Sequence, residues 1–240
     1  MRKKREVPKE ELPSRYAVFF IKPEFEHLRD TIVWRIKQAG LKIAANKTTV
    51  LTEKIHEQHY VHLREKPFYN AMVDYFVDKP VEVFLLEGDD AVTKLRNLLG
   101  ETDPLTAKSQ SPGSLRAEYG IDKMKNVGHG SDGKEAAATE MLRFFTMAEL
   151  TKKQLRFSLQ HAQLDMLPSE RKRVVAPQLF GMFEPHKLSP IQLRFALKYT
   201  PMKKVPQKAR NYVRSVPFWQ LPWRAKWRVA WWRLSGKNAS

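Results

Sequence analysis

The positive charge of this chain is concentrated after residue 150, and this constrains the fold more than any other feature of the sequence. Residues 151–240 hold 19 Lys and Arg against 3 Asp and Glu, whereas residues 1–150 hold the other 24 basic and 23 acidic side chains. A near-neutral stretch, long enough for a domain of ordinary size, therefore precedes a strongly basic extension. The two parts need separate explanations.

Several classes of protein are excluded by what the sequence lacks. It has no cysteine, which excludes disulfides, thiolate metal sites and cysteine catalysis. No stretch approaches the ~18 consecutive apolar residues of a membrane-spanning helix. Residues 1–14 are charged in both signs, which is not typical of a secretory signal or a transit peptide. We expect a solvated N-terminal arm at residues 1–14 and a cytoplasmic protein.

Apolar periodicity in residues 15–150 predicts alternating strands and helices. Short apolar and β-branched runs predict strands at residues 16–21, 41–50 and 81–86, with residues 114–119 as a fourth. Helical spacing, with Gly40 and Gly100 as stop signals, predicts helices at residues 24–39, 53–63, 68–76, 89–99 and 132–145. The resulting order, β-α-β-α-α-β-α-β, is that of an α+β domain with a split β-α-β core.

The long connection at residues 101–133 is where a functional site is expected. It is rich in Gly, Pro, Ser and Asp, and structureless connections of this length tend to be functional. His129 lies in it between two glycines, which lets a ligand approach the imidazole closely. The next helix is predicted to begin near Asp132, and a helix N-terminus favours anions.

Three cations accompany this connection: Lys22 directly after the first strand, Arg96 before the connection and Arg116 within it. A neutral histidine nucleophile among fixed cations suits phosphoryl transfer, because the cations neutralise the transferring oxygens while the imidazole forms a covalent intermediate. Taken one at a time, such residues are more often solvated surface groups. Composition and spacing leave both interpretations open.

Six short motifs occur in an order that is typical of one family. They are IKP at 21–23, HY at 59–60, KPF at 66–68, R-x-x-L-G-E-T-D-P at 96–104, P-G-S-L-R at 112–116 and N-x-x-H-G-S-D at 126–132. This set resembles the nucleoside diphosphate kinase family from about residue 15 to about residue 150, and the last motif is highly specific to that family. The resemblance implies an α+β fold of the ferredoxin-like, split β-α-β kind for residues 15–150.

The resemblance also implies a role for each matched residue. His129 matches the histidine that is phosphorylated, Glu140 the carboxylate that orients its imidazole, and Ser131 a serine beside the site. Phe68 matches the aromatic on which the base stacks, and Met72 the apolar residue beside it; plain helix packing is the alternative for both. The residues that match contacts to the phosphates and the sugar are Lys22, Tyr60, Arg96, Thr102, Arg116 and Asn126.

The family's reaction is a ping-pong exchange of the terminal phosphate between nucleoside tri- and diphosphates. The resemblance therefore implies these nucleotides as partners, Mg²⁺ held mainly through their phosphates, and a homo-oligomer. The segment after IKP departs from the family pattern: it reads EFEHLRDT, about two residues shorter, in a region that contacts the partner subunit in the family. This puts the oligomeric state in doubt. The alternative function is a non-catalytic or moonlighting subunit that reuses the fold.

Residues 151–240 form a basic extension that carries no recognised motif. Two pieces, residues 149–167 and 189–199, have helical spacing, and prolines at eight positions predict short helices rather than one long rod. Near the end, Trp223, Trp227 and Trp231 recur at helical spacing, with arginines and lysines between them.

Three interpretations of the extension stay open. Interleaved aromatics and cations can bind RNA, including the ribosome, or single-stranded nucleic acid. A basic, Trp-rich helix can lie on an anionic membrane surface. The aromatic stripe can also pack on the kinase domain or on a neighbouring subunit, which is the simplest explanation. The spread of charge through the extension favours nucleic acid over membrane.

Overall fold

A computed structural model describes residues 13–60 and 63–215 of the protein. The described chain forms two compact units. Residues 13–53 and 66–137 form the first, which we call the sheet unit. Residues 54–60, 63–65 and 138–215 form the second, the helical unit. The Trp-rich stretch and residues 1–12 of the predicted N-terminal arm (residues 1–14) lie outside the described residues. No helix in the described ranges is long and apolar enough to cross a membrane.

The sheet unit is built on a four-stranded antiparallel sheet in the order β2-β3-β1-β4. The strands are β1 Tyr16–Ile21, β2 Lys42–Val50, β3 Pro80–Glu87 and β4 Gly128–Gly130. All six side chains of β1 are buried, which explains its continuous apolar and aromatic sequence. Strand β2 lies at one edge of the sheet, and its side chains alternate between exposed and half-buried.

Seven helices belong wholly or partly to residues 13–144. They are α1 Arg29–Gln38, α2 Glu53–His59, α3 Tyr69–Phe76, α4 Ala91–Leu99, α5 Pro104–Gln110, α6 Leu115–Tyr119 and α7 Lys134–Phe144. A core cluster lies on one face of the sheet, where Phe19 and Phe84 meet Ile36 of α1 and Leu95 of α4. Gly40 and Gly100 end α1 and α4 with φ angles of 71° and 78°, a conformation that favours glycine.

The fold predicted from the sequence is confirmed, with one strand misplaced. Residues 114–119, predicted as the fourth strand, form helix α6 instead, because the Ser114 hydroxyl caps a turn by accepting from the Ala117 amide. The fourth strand is Gly-His-Gly at residues 128–130, which pairs with β1. A strand so short and so rich in glycine has no strand signal of its own, and only pairing reveals it.

Smaller differences affect helix ends. The predicted helix at 24–39 begins with a 3₁₀ segment, Pro23–Leu28, before α1. The helix predicted at 89–99 begins at Ala91, with Asp90 rather than Asp89 at its N-cap position. The connection at 101–133 is less irregular than expected, because Asp103 caps α5 by accepting from the Leu105 amide.

The helical unit contains most of α2, the end of α7 and four further helices. They are α8 Lys152–His161, α9 Ser169–Met182, α10 Pro190–Tyr199 and α11 Gln207–Ser215. The extension is mainly helical, as predicted, and the two predicted helical pieces correspond to α8 and α10. Helix α9 was not predicted, because Pro177 lies inside it and was interpreted as a break.

Candidate active site

His129 lies on β4, directly opposite Phe20 of β1. The two rings stack, with centroids 4.9 Å apart and an interplanar angle of 24°. The imidazole is half-buried, so the stack fixes one of its faces while part of the ring stays accessible. A histidine on a paired strand with an aromatic ring behind it has a well-defined orientation.

The glycines beside His129 are required by packing as well as by ligand access. A Cβ on Gly128 would lie 2.3 Å from the Phe19 ring, and one on Gly130 would lie 2.7 Å from a methyl group of Leu99. Either clash would push β4 away from β1 or α4. The sequence pattern therefore allows His129 to lie close to the sheet unit's core.

The residue before this strand has a strained backbone. Val127 has a φ of 78°, in the left-handed region that β-branched residues rarely adopt. Its side chain is fully buried in the core cluster, which holds it in this conformation. Strain of this kind costs roughly 1–3 kcal/mol and is common next to functional residues.

Arg116 holds the backbone on both sides of Val127. Its guanidinium donates to the carbonyls of Gly100 at 2.8 Å, Gly128 at 3.0 Å and Asn126 at 3.3 Å. The arginine thereby ties α6 to the end of α4 and to the segment that carries His129.

Lys22 is buried at the end of β1 and points toward the same segment. Its ammonium donates to the Asn126 side-chain oxygen at 2.6 Å and to the Met124 carbonyl at 2.5 Å, and it lies 5.4 Å from the centre of the Phe76 ring. Burial, and after it the nearby positive charge of Arg116, lowers the pKa of Lys22 to about 7. An anion beside the ammonium would restore its charge.

The remaining predicted residues of the sheet unit surround this segment. The Asn126 amide donates to the Thr102 carbonyl at 2.8 Å, and Arg96 donates to Asp132 at 2.7 Å across the protein surface. The buried Ser131 hydroxyl exchanges hydrogen bonds with the backbone of Val18, which joins the end of β4 to β1. On α3, Met72 is buried, whereas Phe68 is 48% exposed just before the helix.

Two predicted residues, Tyr60 and Glu140, belong to the helical unit. The buried Tyr60 ring packs against His59 at 4.5 Å between centroids. A Glu140 carboxylate oxygen lies 3.8 Å from Nδ1 of His59, and the Arg143 guanidinium donates to the same nitrogen at 2.8 Å. Burial lowers the pKa of Arg143, although the Glu140 carboxylate opposes that shift. Because Nδ1 of His59 accepts this bond, the neutral form of His59 protonated at Nε2 is favoured.

Sequence reasoning missed three contributors to this region: Phe20, Phe76 and the strained Val127. The aromatic character of β1 was visible, but the residue that stacks on His129 depends on strand register. No sequence signal marks the strain at Val127, since valine ordinarily avoids that conformation.

Comparison with known proteins agrees with this fold. A family model described as nucleoside diphosphate kinase matches residues 16–150. The chain is 39% identical over 142 residues to nucleoside diphosphate kinase 1 of Protochlamydia amoebophila, covering 58% of this chain and 99% of that protein. It is 40% identical over 139 residues to the nucleoside diphosphate kinase of Pyrococcus horikoshii, covering 56% of this chain and 87% of that protein.

Solved structures give the same result. The nucleoside diphosphate kinase of Aquifex aeolicus superposes with a TM-score of 0.54 at 32% identity, covering 57% of this chain and 99% of that one. That of Halobacterium salinarum, solved in complex with CDP, gives a TM-score of 0.53 at 32% identity and covers 57% and 91%. The antiparallel sheet, with a histidine on strand β4, is therefore typical of a class of phosphotransferase domains. More particularly, the chain belongs to the nucleoside diphosphate kinase family.

Proposed function

We propose that the protein transfers the terminal phosphate of a nucleoside triphosphate to a nucleoside diphosphate through a phosphohistidine at His129. One observation carries this proposal: the segment 126–132 is bonded to three cations. Lys22 bonds to Asn126, Arg116 to the carbonyls of Asn126 and Gly128, and Arg96 to Asp132. These cations would neutralise the charge on a phosphoryl group as His129 accepts it.

The proposed reaction has two balanced steps. An imidazole nitrogen of His129 attacks the terminal phosphorus of the triphosphate, and the P–O bond to the leaving diphosphate breaks. A terminal oxygen of the second diphosphate then attacks the phosphohistidine, and the P–N bond breaks. The imidazole returns to its starting state, so each cycle moves one phosphoryl group and consumes nothing else.

The other predicted residues take supporting roles in this proposal. Lys22, Tyr60, Arg96, Thr102, Arg116 and Asn126 would bind the phosphates and the sugar. Phe68, at 48% exposed, leaves a ring face on which a base can stack beside Met72. Glu140 would orient the His129 imidazole, and Ser131 supports the strand end through its bonds to Val18. These assignments place residues 15–150 in the kinase domain, with residues 1–14 as an arm and 151–240 as an extension.

The reaction of this family needs a divalent metal cation. We propose Mg²⁺, which would help to neutralise the nucleotide phosphates. The charged side chains around the segment 126–132 are compatible with a metal ion that is bound by the nucleotide phosphates. Lys22, Arg96 and Arg116 bring positive charge, which suits phosphate oxygens rather than direct metal coordination. The metal would therefore be held mainly through the phosphates.

Two further proposals rest on the family resemblance. We propose that the protein acts as a homo-oligomer and is cytoplasmic. The altered segment after IKP is folded here as the 3₁₀ turn Pro23–Leu28, so the subunit number need not match that of the family. Light scattering on the full chain measures it directly, and a monomeric mass would contradict the first proposal.

The experiment that tests the activity is phosphoenzyme formation. Incubated with γ-labelled ATP and Mg²⁺, the wild type should acquire an acid-labile label, and His129→Ala should acquire none. Phosphate exchange should fall by a factor of about 10⁴ or more in that variant, as expected for loss of a nucleophile. His186→Ala is the matched control, because His186 is an exposed histidine of the extension.

The opposite result favours the alternative function. A wild type that takes up no label, or a His129→Ala variant that labels equally well, would mean that the fold serves here as a binding or structural subunit. An unchanged His186→Ala variant would show that loss of label in His129→Ala is specific to that site.

A further inference from the structure

The helical unit contains an internal repeat of 38 residues. Residues 150–175 align without gaps to residues 188–213, and eight of the 26 positions are identical. Both copies begin with L-[ST]-x-x-Q-L-R-F-x-L, at 150–159 and at 188–197. The identity extends upstream to Phe145 and Phe183. Self-similarity at a fixed period of this length is the signature of helical repeat architectures.

The two copies have the same local structure. In the first, α8 is followed by the 3₁₀ turn Leu164–Met166 and by α9. In the second, α10 is followed by the 3₁₀ turn Met202–Lys204 and by α11. Each first helix begins with a complete capping box, formed by Thr151 with Gln154 and by Ser189 with Gln192. Every element of one copy therefore starts 38 residues after its counterpart in the other.

Equivalent positions are also buried alike. The paired positions at which both residues are buried are Leu150 and Leu188, Leu155 and Leu193, Ser158 and Ala196, Leu159 and Leu197, Leu167 and Val205, and Val175 and Val213. Each copy therefore directs the same face of its helices inward. This agreement shows that the repeat is a folding unit and not a coincidence of composition.

The second copy stacks on the first through its opening helix. Helix α10 packs against α9, and the Gln192 side-chain amide donates to the carbonyls of Leu159 at 3.0 Å and Gln160 at 3.4 Å. The glutamine thus completes the cap of α10 and also donates to carbonyls at the end of α8. Stacked helical repeats of this kind commonly present an extended binding surface.

The surface of the stack is strongly basic. Residues 151–215 contain 14 Lys and Arg against 3 Asp and Glu. Among the described side chains of these residues, nine basic side chains and all three acidic side chains are exposed. One of the three acids, Glu184, forms an ion pair with Lys208 at 2.9 Å. The exposed lysines include Lys152 at the start of α8, and Lys203 and Lys204 in the 3₁₀ turn Met202–Lys204. Little negative charge is left to balance them.

We propose that the two stacked repeats form a nucleic-acid-binding module that holds a phosphate backbone through their exposed cations. A surface of many exposed cations with few acids matches a repeating anion rather than a single phosphate group. The apolar faces of α8 and α10 are turned inward at Leu155, Leu159, Leu193 and Leu197. A helix that lies on a membrane instead keeps its apolar face outward. The contacts reach the backbone and therefore carry little base specificity.

The test uses the full chain and a fluorescein-labelled, single-stranded RNA of mixed sequence, about 30 nucleotides long. Anisotropy titrations between about 50 and 200 mM salt should show affinity that falls steeply with salt. In the triple variant Lys152→Gln, Lys203→Gln, Lys204→Gln, the slope of log Kd against log salt should fall by about 2, since each single-strand phosphate contact contributes about 0.7. The Kd itself should weaken by about tenfold or more at the lower salt.

The matched control removes three charges elsewhere: Lys37→Gln, Lys42→Gln and Lys108→Gln, all exposed in the sheet unit. It should bind the RNA like the wild type, and both triple variants should keep phosphate exchange. Equal loss of RNA binding in both triple variants would overturn the proposal, as would absence of binding at the lower salt. Tighter binding to phosphatidylserine vesicles than to RNA at equal salt would overturn it in favour of a membrane surface.

Discussion

The basic residues around His129 in the sheet unit and those on the surface of the helical unit are held in opposite ways. In the sheet unit, Lys22 is buried, Arg116 is half-buried, and both donate to backbone oxygens around His129. In the helical unit, Lys152, Lys203 and Lys204 extend into solvent. A fixed, desolvated cation can favour one phosphate in one position, whereas many mobile cations favour a long anion without fixing its register. In our proposals, the same residue types thus serve catalysis in one unit and nucleic-acid binding in the other.

The units also differ in what their sequences encode. The sheet unit depends on single positions: Gly128 because of the Phe19 ring, and Val127 because of its strained backbone. The helical unit depends on a pattern used twice, in which each position has a counterpart 38 residues away. Loss of one residue should therefore be locally severe in the sheet unit, whereas equivalent substitutions in the two copies of the helical unit should have equal effects.

The largest effect on stability is expected from Arg116→Met. The substitution leaves the carbonyls of Gly100, Asn126 and Gly128 without their charged donor, and a buried acceptor that loses its partner costs about 1–3 kcal/mol. We expect the free energy of unfolding to fall by about 3–5 kcal/mol, because Met cannot donate. Urea denaturation followed by circular dichroism measures this.

Arg15→Met is the control for this prediction. Arg15 pairs with Glu87 at 2.9 Å but is largely exposed, and exposed ion pairs contribute roughly 0–1 kcal/mol. If the free energy of unfolding fell by the same small amount in both variants, the fixed cations around His129 would stabilise the protein no more than surface cations do. That result would contradict the comparison between the units.

A smaller effect on stability, equal in the two copies of the repeat, is expected in the helical unit. Leu155→Ala and Leu193→Ala remove equivalent leucines of α8 and α10, 5% and 6% exposed. Each should lower the free energy of unfolding by about 2–4 kcal/mol, because each leaves a cavity in the same local environment. Ile191→Ala, at a position 69% exposed on α10, should change it by less than about 0.5 kcal/mol. Stability loss in one copy and none in the other would argue that the copies do not fold alike.

The fold of residues 15–150 was largely predictable, because its long elements carry strong periodic signals. Strands β1, β2 and β3 and helices α1, α3 and α4 were placed within a few residues. Strand β4 was not, because Gly-His-Gly has no apolar alternation and is a strand only by pairing with β1. Helix α6 was mistaken for that strand because five residues are too short for either periodicity to decide.

The site was predictable in its composition but not in its contacts. The motif at 126–132 marked His129, Ser131 and Asn126 as candidates. That Asn126 accepts from Lys22 and donates to the Thr102 carbonyl depends on where distant segments meet in space. The repeat in the extension was present in the sequence, yet its prolines were interpreted only as breaks, which hid the second helix of each copy.

The finest difference between the units concerns the protonation of Lys22. Its pKa of about 7 lies below the ordinary value of 10.5, so the ammonium form is disfavoured in the folded protein and not in the unfolded chain. The unfolded chain therefore binds more protons between pH 7 and pH 10.5, and the stability contributed by this residue rises with pH across that range. Below pH 7 its burial penalty is present in full.

This protonation makes nucleotide binding depend on pH. Without nucleotide, Lys22 is mainly neutral above pH 7, and bound phosphates would favour its charged form, so binding should take up a proton. We expect uptake approaching one proton per nucleotide near pH 9 and affinity that falls by up to about tenfold per pH unit above 7. Calorimetry of ADP binding in two buffers of different ionisation enthalpy measures the uptake.

Lys22→Met should abolish this proton uptake, whereas Lys37→Met, at an exposed position of α1, should leave it unchanged. Equal uptake in Lys22→Met and in the wild type would show that Lys22 is as freely protonated as the exposed lysines of the helical unit.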